Sequence, residues 1–596
     1  MKDIKRRFSS LIETRNGEIF LVSSLVILVT LAYREIFQYK YTGSDFFAQI
    51  AGNSNITKAL ASPLSPEFLG DTWYRPVDAF TLYLDYSIGG LNAFAYQFTN
   101  FVIFVVAILL VYLFVRQIFS DKKLALLSST IFAFYPIIMH VVPIVTFRAE
   151  MLMTVFMILT ILLLDKYLKT GNKYYQIFGV ISAFLAVCSK EAAIVMMPLL
   201  VTFYIIVKGR DQISNLKKLL YTISPYIASL VFYFILVFLL LGEYTARGVS
   251  LIDEGISTFI MDRAIAAASF FESMIYPTDV LGLDSYTIIN LSGNQAGDSY
   301  GVSIAYVLIA AIALIAVLCV VLYLFKKKIK IRRLFDMQYL KNCFTINDFI
   351  LFWIASYFAF FIVLYGKFNS YYSFLILAPA SVLIAYCFLK LKQEKPFNNN
   401  LKKILIVIFV IYCIVASPIF ANFSNYKTSA DIKETMVPGI IDSNADIPEN
   451  ATIYAIPTYG GVLGEGHAGG IPPHSLAGLL DLEYPDKNWK IIAVSQFTVT
   501  NAEEPYSFNY TIELEDDQIA ITLNGENVEF YKYLDVYKWF FPVRTNVSVS
   551  GNLFPYGRTN QTILMESYNL SDYLLMVRIE NSRPYVSVIS IQDLMT

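Results

Sequence analysis

Long apolar runs alternate with short basic breaks over the first 420 residues, and the pattern then changes to short, alternating stretches. Runs of spanning length fall at 19–37, 94–117, 123–142, 149–165, 174–189, 192–208, 219–241, 302–325, 349–365, 372–390 and 403–420. At 1.5 Å rise per residue, about 20 apolar residues cross a hydrocarbon core, so the pattern predicts about 11 transmembrane helices. Beyond residue 420 the text "TIELEDDQIAITL" alternates with period two and runs into "NGENVEFYKYL". An Asn524-Gly525 step between two such runs predicts a hairpin turn. The expected architecture is a polytopic α-helical membrane domain over 1–420 followed by a β-rich extracytoplasmic domain over 421–596.

Charge orients this arrangement. Basic residues gather in alternate breaks: "KRR" at the start, then "RQIFSDKK", "DKYLKTGNK", "VKGRDQISNLKK", "KKKIKIRR" and "KLKQEK". Cytoplasmic loops carry the lysine and arginine excess, so these breaks are read as inside. Residues 38–93, 242–301 and everything after 420 then lie outside. The eight Asn-x-Ser/Thr sequons, at Asn55, Asn290, Asn422, Asn450, Asn509, Asn546, Asn560 and Asn569, all fall on those outer segments. The opening "MKDIKRR" and its apolar run resemble a signal peptide, yet no small-residue cleavage pattern follows, and an uncleaved anchor is expected. The chain reads as a multi-pass plasma-membrane protein with a cytoplasmic N-terminus and an extracellular C-terminal domain.

Composition narrows the class further. With 56% hydrophobic and only 16% charged residues, a chain of 596 residues cannot cover a soluble surface. A net charge of −1 gives no reason to expect nucleic acid. The five cysteines stand singly, which argues against a disulfide framework or a cysteine metal site.

Ionisable residues at the outer ends of spans are costly unless paired or solvated, and so mark candidate chemistry. The cations there are Arg75, Arg148, Lys190, Arg263 and Lys367; the acids are Asp45, Asp78, Glu150, Glu191 and Asp284. One leaflet collects both signs from distant segments, the pattern of a polar cavity open to the outside. Each residue also has an ordinary reading. Asp45 can end a helix in a solvated turn, Lys190-Glu191 can be an ion-paired turn, Arg148 an interfacial anchor, and Arg263 a snorkelling side chain.

The order of motifs carries a resemblance. An acid in the first outer loop, "WYRPVDAFTLYLDYSIGGLNAFAYQFTN", "FRAEML", "CSKEAAI" and "MDRAIAAASFFESMIYPTDVLGLDSY" follow one another over roughly 20–390. This resembles the GT-C superfamily of glycosyltransferases, most of all the transmembrane O-mannosyltransferases that target cadherins, and the protein O-mannosyltransferases. Two positions depart from the family pattern: His140 stands where an acid is usual, and Lys367 is the lone cation near the tenth span. The region after 420 lies outside the resemblance.

The resemblance implies transfer of a sugar, mannose or another hexose, from a polyprenyl-phosphate donor to a protein, glycan or lipid acceptor on the outer face. Such a reaction requires a base for the acceptor and cations for the departing phosphate. Asp45, which matches the family's first-loop acid, is the expected catalytic base, with its phenylalanine neighbours limiting its solvation. Arg148, Lys190 and Arg263 are the expected phosphate contacts, because an ammonium and a guanidinium both suit phosphate. Arg75, Asp78, Glu150, Glu191 and Asp284 are supporting or acceptor-side candidates. With no Asp-x-Asp or histidine cluster in the first loop, no metal or other cofactor is expected, although carboxylates from separate segments can gather round an ion. The rival reading is a transporter or flippase of a lipid-linked or anionic substrate; against it, no inverted repeat is visible and the charges avoid the midplane. The glycine-rich stretch 459–474, with His467 and His474, reads as a loop facing the membrane domain, outside any strand-to-helix pattern.

Overall fold

The protein's structure, a computed structural model, describes residues 13–43, 45–61, 74–209, 216–241, 344–365, 372–391 and 407–409, together with Ala267. After 424 it describes the chain to 595 except for 445, 463–469, 488, 494, 501–503, 516–517, 533–546, 550–558 and 566–567. Arg263, Asp284, Lys367, His467, the segment 242–301 apart from Ala267 and the span expected at 302–325 lie outside the described residues.

The membrane part opens with α1 (Arg15–Ala32), two short helices α2 (Phe46–Gly52) and α3 (Ile56–Ala61), and α4 (Pro76–Gly89). It continues through α5 (Ala93–Phe119), α6 (Lys122–Phe134), α7 (Arg148–Thr170), α8 (Lys173–Ser189), α9 (Ala192–Lys208) and α10 (Leu216–Leu241). After the undescribed stretch come α11 (Ile346–Phe358) and α12 (Ser373–Leu391). Among the described residues, four helices are long and apolar enough to cross a membrane, and four more apolar helices are shorter. The short polar breaks end these helices by local capping. Asp121 accepts from the Lys123 and Leu124 amides at the head of α6, and Asn172 accepts from Tyr174 at the head of α8. Gly171, at φ +67°, supplies the left-handed residue that closes α7.

The run expected to span 123–142 departs from the forecast. The helix stops at Phe134, because Pro136 lacks an amide and disfavours helical backbone before it. A 3-10 turn over Pro136–His140 leads instead toward α7. That helix is the most enclosed of the bundle and packs against α5, α8, α9 and α12. By contrast α1 and α10 present Ile19, Phe20, Ile27, Phe238 and Leu239 outward, as lipid-facing helices do.

After the membrane part come α13 (Ser424–Asn444), then β1 (Thr452–Ile456), β2 (Thr458–Val462), α14 (Pro473–Glu483), β3 (Lys490–Ala493) and β4 (Ser495–Val499). The remaining elements are β5 (Ser507–Glu515), β6 (Gln518–Glu526), β7 (Val528–Lys532), β8 (Val547–Val549), β9 (Asn560–Met565), β10 (Tyr573–Glu580), β11 (Arg583–Ser590) and α15 (Ile591–Met595). One mixed sheet runs β3-β1-β10-β5-β6-β9-β8, with β11 also paired to β10; a smaller sheet runs β2-β4-β7. Asn524-Gly525 is not a turn. Both residues lie inside β6, where Asn524 pairs with Asn509 and Gly525 with Phe508. The hairpin reversal falls instead between Glu515 and Gln518, where β5 and β6 pair antiparallel, and Asn527, at φ +54°, separates β6 from β7, which belong to different sheets. Gly525 is there for space: a Cβ would stand 3.2 Å from the side chains of Phe508 and Val528.

The glycine-rich stretch 459–474 begins within strand β2 and ends in helix α14, so it does lie between a strand and a helix; residues 463–469 lie outside the described residues. The two apolar cores meet in an uneven way. Phe46, Phe47 and Ile50 of α2, with Leu82 and Tyr96, join the core of the C-terminal region rather than that of the helix bundle.

Candidate functional site

Three helix ends converge at one end of the bundle. Pro76 begins α4 and leaves Arg75 just before it; the 3-10 turn ahead of α7 delivers Arg148 and Glu150; the break between α8 and α9 delivers Lys190 and Glu191. Arg75 donates to Glu191 through Nε at 2.8 Å and Nη2 at 2.7 Å, a fork-to-carboxylate pair. The carbonyl of its neighbour Tyr74 accepts from Tyr233 on α10 at 2.9 Å, which fixes the approach of the chain. Lys190 is buried, pairs with Glu150, and sits 4.7 Å over the ring of Tyr372 on the stretch leading into α12.

Asp78 is buried one turn into α4, and its Oδ1 has no hydrogen-bond partner among the described residues; the same holds for Glu150 Oε2. Burial pushes the Asp78 carboxyl up to about 6, against the pull of Arg148, Arg75 and Lys190. Glu191 goes the other way. Desolvation raises it, but Arg75 and Lys190 outweigh that and hold it at about 2. Three acids (Asp78, Glu150, Glu191) thus surround two cations (Arg75, Lys190). A raised Asp78 brings the group closer to charge balance.

Arg148 is 0% exposed. Its Nη2 lies 2.6 Å from Asp85 Oδ2 and donates to the Tyr96 carbonyl at 3.0 Å; Nε donates to Asn100 at 2.7 Å and Nη1 to Thr81 at 3.2 Å. Arg148 is an expected phosphate contact; in the structure its guanidinium is engaged by Asp85 and Thr81 of α4 and by Tyr96 and Asn100 of α5. Asp85 was not singled out in the sequence. Its signal was there, since Asp78 and Asp85 are seven residues apart and therefore on one face of α4. Asn100, Thr81 and Tyr372 carried no such mark.

Asp45 directly precedes α2 and is half-buried. Its neighbours Phe46 and Phe47 are both buried in the C-terminal core. Phe46 packs edge-on against Tyr96 at 5.1 Å, and the Tyr96 carbonyl is the one that Arg148 holds. The preceding loop is stitched to the approach of α7, because Gln97 donates to Thr42 and to the Pro143 carbonyl, each at 2.8 Å. Among the described residues no group of three His, Cys, Asp or Glu side chains is arranged to hold a metal ion.

Residues 75–240 match the family model described as dolichyl-phosphate-mannose-protein mannosyltransferase. A protein O-mannosyl-transferase of Caenorhabditis elegans is 29% identical over 197 residues, which is 30% of this chain and 27% of that protein. The chain thus matches only about a quarter of that relative's length. Among solved structures, ArnT from Cupriavidus metallidurans bound to undecaprenyl phosphate aligns with a TM-score of 0.44 at 12% identity, over 86% of this chain and 98% of that one. An Archaeoglobus fulgidus oligosaccharyltransferase tethered to an acceptor peptide aligns with a TM-score of 0.39 at 12% identity, over 73% and 61%. The matched segment contains Arg75, Asp78, Asp85, Arg148, Glu150, Lys190 and Glu191, and over it the chain resembles the protein O-mannosyltransferases.

Proposed function

We propose that this chain is a membrane glycosyltransferase of the GT-C type, moving mannose or another hexose from a polyprenyl-phosphate carrier to a protein, glycan or lipid acceptor at the outer face of the plasma membrane. The observation that carries this reading is the gathering of Arg75, Asp78, Glu150, Lys190 and Glu191 from three separate segments within the matched 75–240 stretch. Mixed charges buried together at helix ends are costly to maintain, and a site that binds and releases an anion is a reason to maintain them.

In this reading the acceptor oxygen forms a bond to the sugar's anomeric carbon while the bond from that carbon to the phosphate oxygen breaks. Asp45 takes the acceptor proton, and the electron pair leaves with the polyprenyl phosphate. Lys190 and Arg75 stabilise the growing phosphate charge, with Glu150 and Glu191 holding the two cations in place between turnovers. Arg148 and Asp85 form the scaffold that fixes α4, α5 and α7. Arg263 and Asp284 keep their proposed parts as a further phosphate contact and an acceptor-side group. No metal or other cofactor has a part in this scheme.

The test is Asp45→Asn in cells whose surface glycans are compared by mass spectrometry with those of wild-type and gene-deleted cells. The expected result is loss of one hexose mass, equal to deletion, with the variant present at wild-type level in the membrane; a lost base lowers rates by about 10²–10⁴. Full transfer by Asp45→Asn overturns the assignment.

A further inference from the structure

The helix that carries the proposed base on its leading end is held by the C-terminal region, and the contact is backbone to backbone. A Cβ built on Gly478 of α14 would lie 2.7 Å from both the Cα and the N of Ala48, and 2.8 Å from the carbonyl carbon of Phe47. No side chain fits there. Gly478 sits in the interior of an eleven-residue helix, where alanine would be more favourable by about 1 kcal/mol. Helix propensity therefore does not explain the glycine; the close approach of α2 does.

One turn earlier, the buried Ser475 hydroxyl accepts from the Phe47 amide at 3.3 Å. That amide belongs to the first turn of α2, whose donors have no partner within their own helix. Asp45 occupies the capping position and makes no side-chain capping bond. Ser475 thus does, from 428 residues away in sequence, what an aspartate at a helix start ordinarily does for itself. On the other flank the buried Lys433 of α13 donates to the Tyr41 carbonyl at 3.0 Å, and Lys40 pairs with Glu434. Lys40 and Tyr41 on one side of Asp45, and Phe47 and Ala48 on the other, are thus held by the C-terminal region.

We propose that Ser475 and Gly478 are positioning residues: α14 takes over the cap of α2, so that the Asp45 carboxylate is not spent on its own helix and its backbone is held in one place. The catalytic consequence rests on the reading of Asp45 as the base; the clamp itself does not. The experiment uses the full chain in nanodiscs, as wild type, Ser475→Ala and Gly478→Ala. Ser475→Ala removes one hydroxyl and leaves the fold intact even if Gly478→Ala does not.

Hydrogen exchange is followed by mass spectrometry over residues 42–53, with α7 peptides as the internal control. Mannosyl polyprenyl phosphate serves as probe donor for kcat and KM. Loss of the clamp is expected to speed exchange over 42–53 by about 10-fold, the effect of roughly 1.4 kcal/mol, with α7 unchanged, and to lower kcat while the donor KM stays constant. Exchange unchanged in both variants, or raised equally in α7, overturns the clamp. Faster exchange confined to 42–53, together with full activity in Asp45→Asn, upholds the clamp and removes the base role from Asp45.

Discussion

Arg75 and Glu191 face each other through two parallel hydrogen bonds, 2.8 and 2.7 Å long, across 116 residues of sequence. Two bonds of this kind fix the plane of the guanidinium as well as its position, which a lysine cannot do. Arg75→Ala is expected to cost about 1.5–3 kcal/mol, toward the lower end because 42% of the Glu191 side chain is exposed. Arg75→Lys should fall between the two. Thermal unfolding in detergent, with the three proteins side by side, measures the order.

Asp78 should give the protein a pH-dependent stability. Its carboxyl ordinarily titrates at 3.8 and is raised to about 6 by burial. Folding then takes up a proton between those values, so stability falls as pH rises from 3.8 to 6 and levels off above that. The full effect is about 3 kcal/mol. Asp78→Asn is expected to flatten the dependence and to raise the melting temperature at pH 7. A series of melting curves from pH 4 to pH 8 reads both.

Arg148 and Asp85 are buried to 0% and 8% side-chain exposure, so removing either one strands the other. Arg148→Met or Asp85→Leu alone should cost about 3–5 kcal/mol, while the double variant recovers much of the loss. Expression level and thermal midpoint of the three variants form the test. Recovery of stability without partner charge would mark the pair as scaffold.

Lys190 and Glu150 separate folding from turnover. Lys190→Gln leaves Glu150 buried without its cation and should destabilise; Lys190→Gln with Glu150→Gln removes that penalty. Transfer should nonetheless stay down by about 10²–10³ in the double variant, because the leaving phosphate has lost a fixed charge. Wild-type transfer in a stable double variant would assign Lys190 to structure alone.

Much of this is legible in local features of the sequence. The apolar runs found most of the described helices to within a few residues, because bilayer-facing helices are apolar along their whole length and capped by the residues between them. The pairing of Lys190, Glu191, Arg75 and Glu150 was approachable from their placement at span ends. Asp85 was missed because an acid in an amphipathic helix looks like a solvated face until Arg148 is seen beneath it. The turn was misplaced at Asn524-Gly525 because the dipeptide signal is local, whereas the crowding of Gly525 by Phe508 and Val528 belongs to the sheet.

Sequence alone determined that this is an integral membrane chain with a different, strand-forming C-terminal part, since hydrophobic length and period are properties of contiguous residues. Only the folded chain decided which charges pair, that Arg148 is buried against Asp85, and that α14 lies on the helix that follows Asp45. Those outcomes depend on contacts between residues that are tens to hundreds of positions apart, and neighbouring residues along the chain carry no record of such contacts.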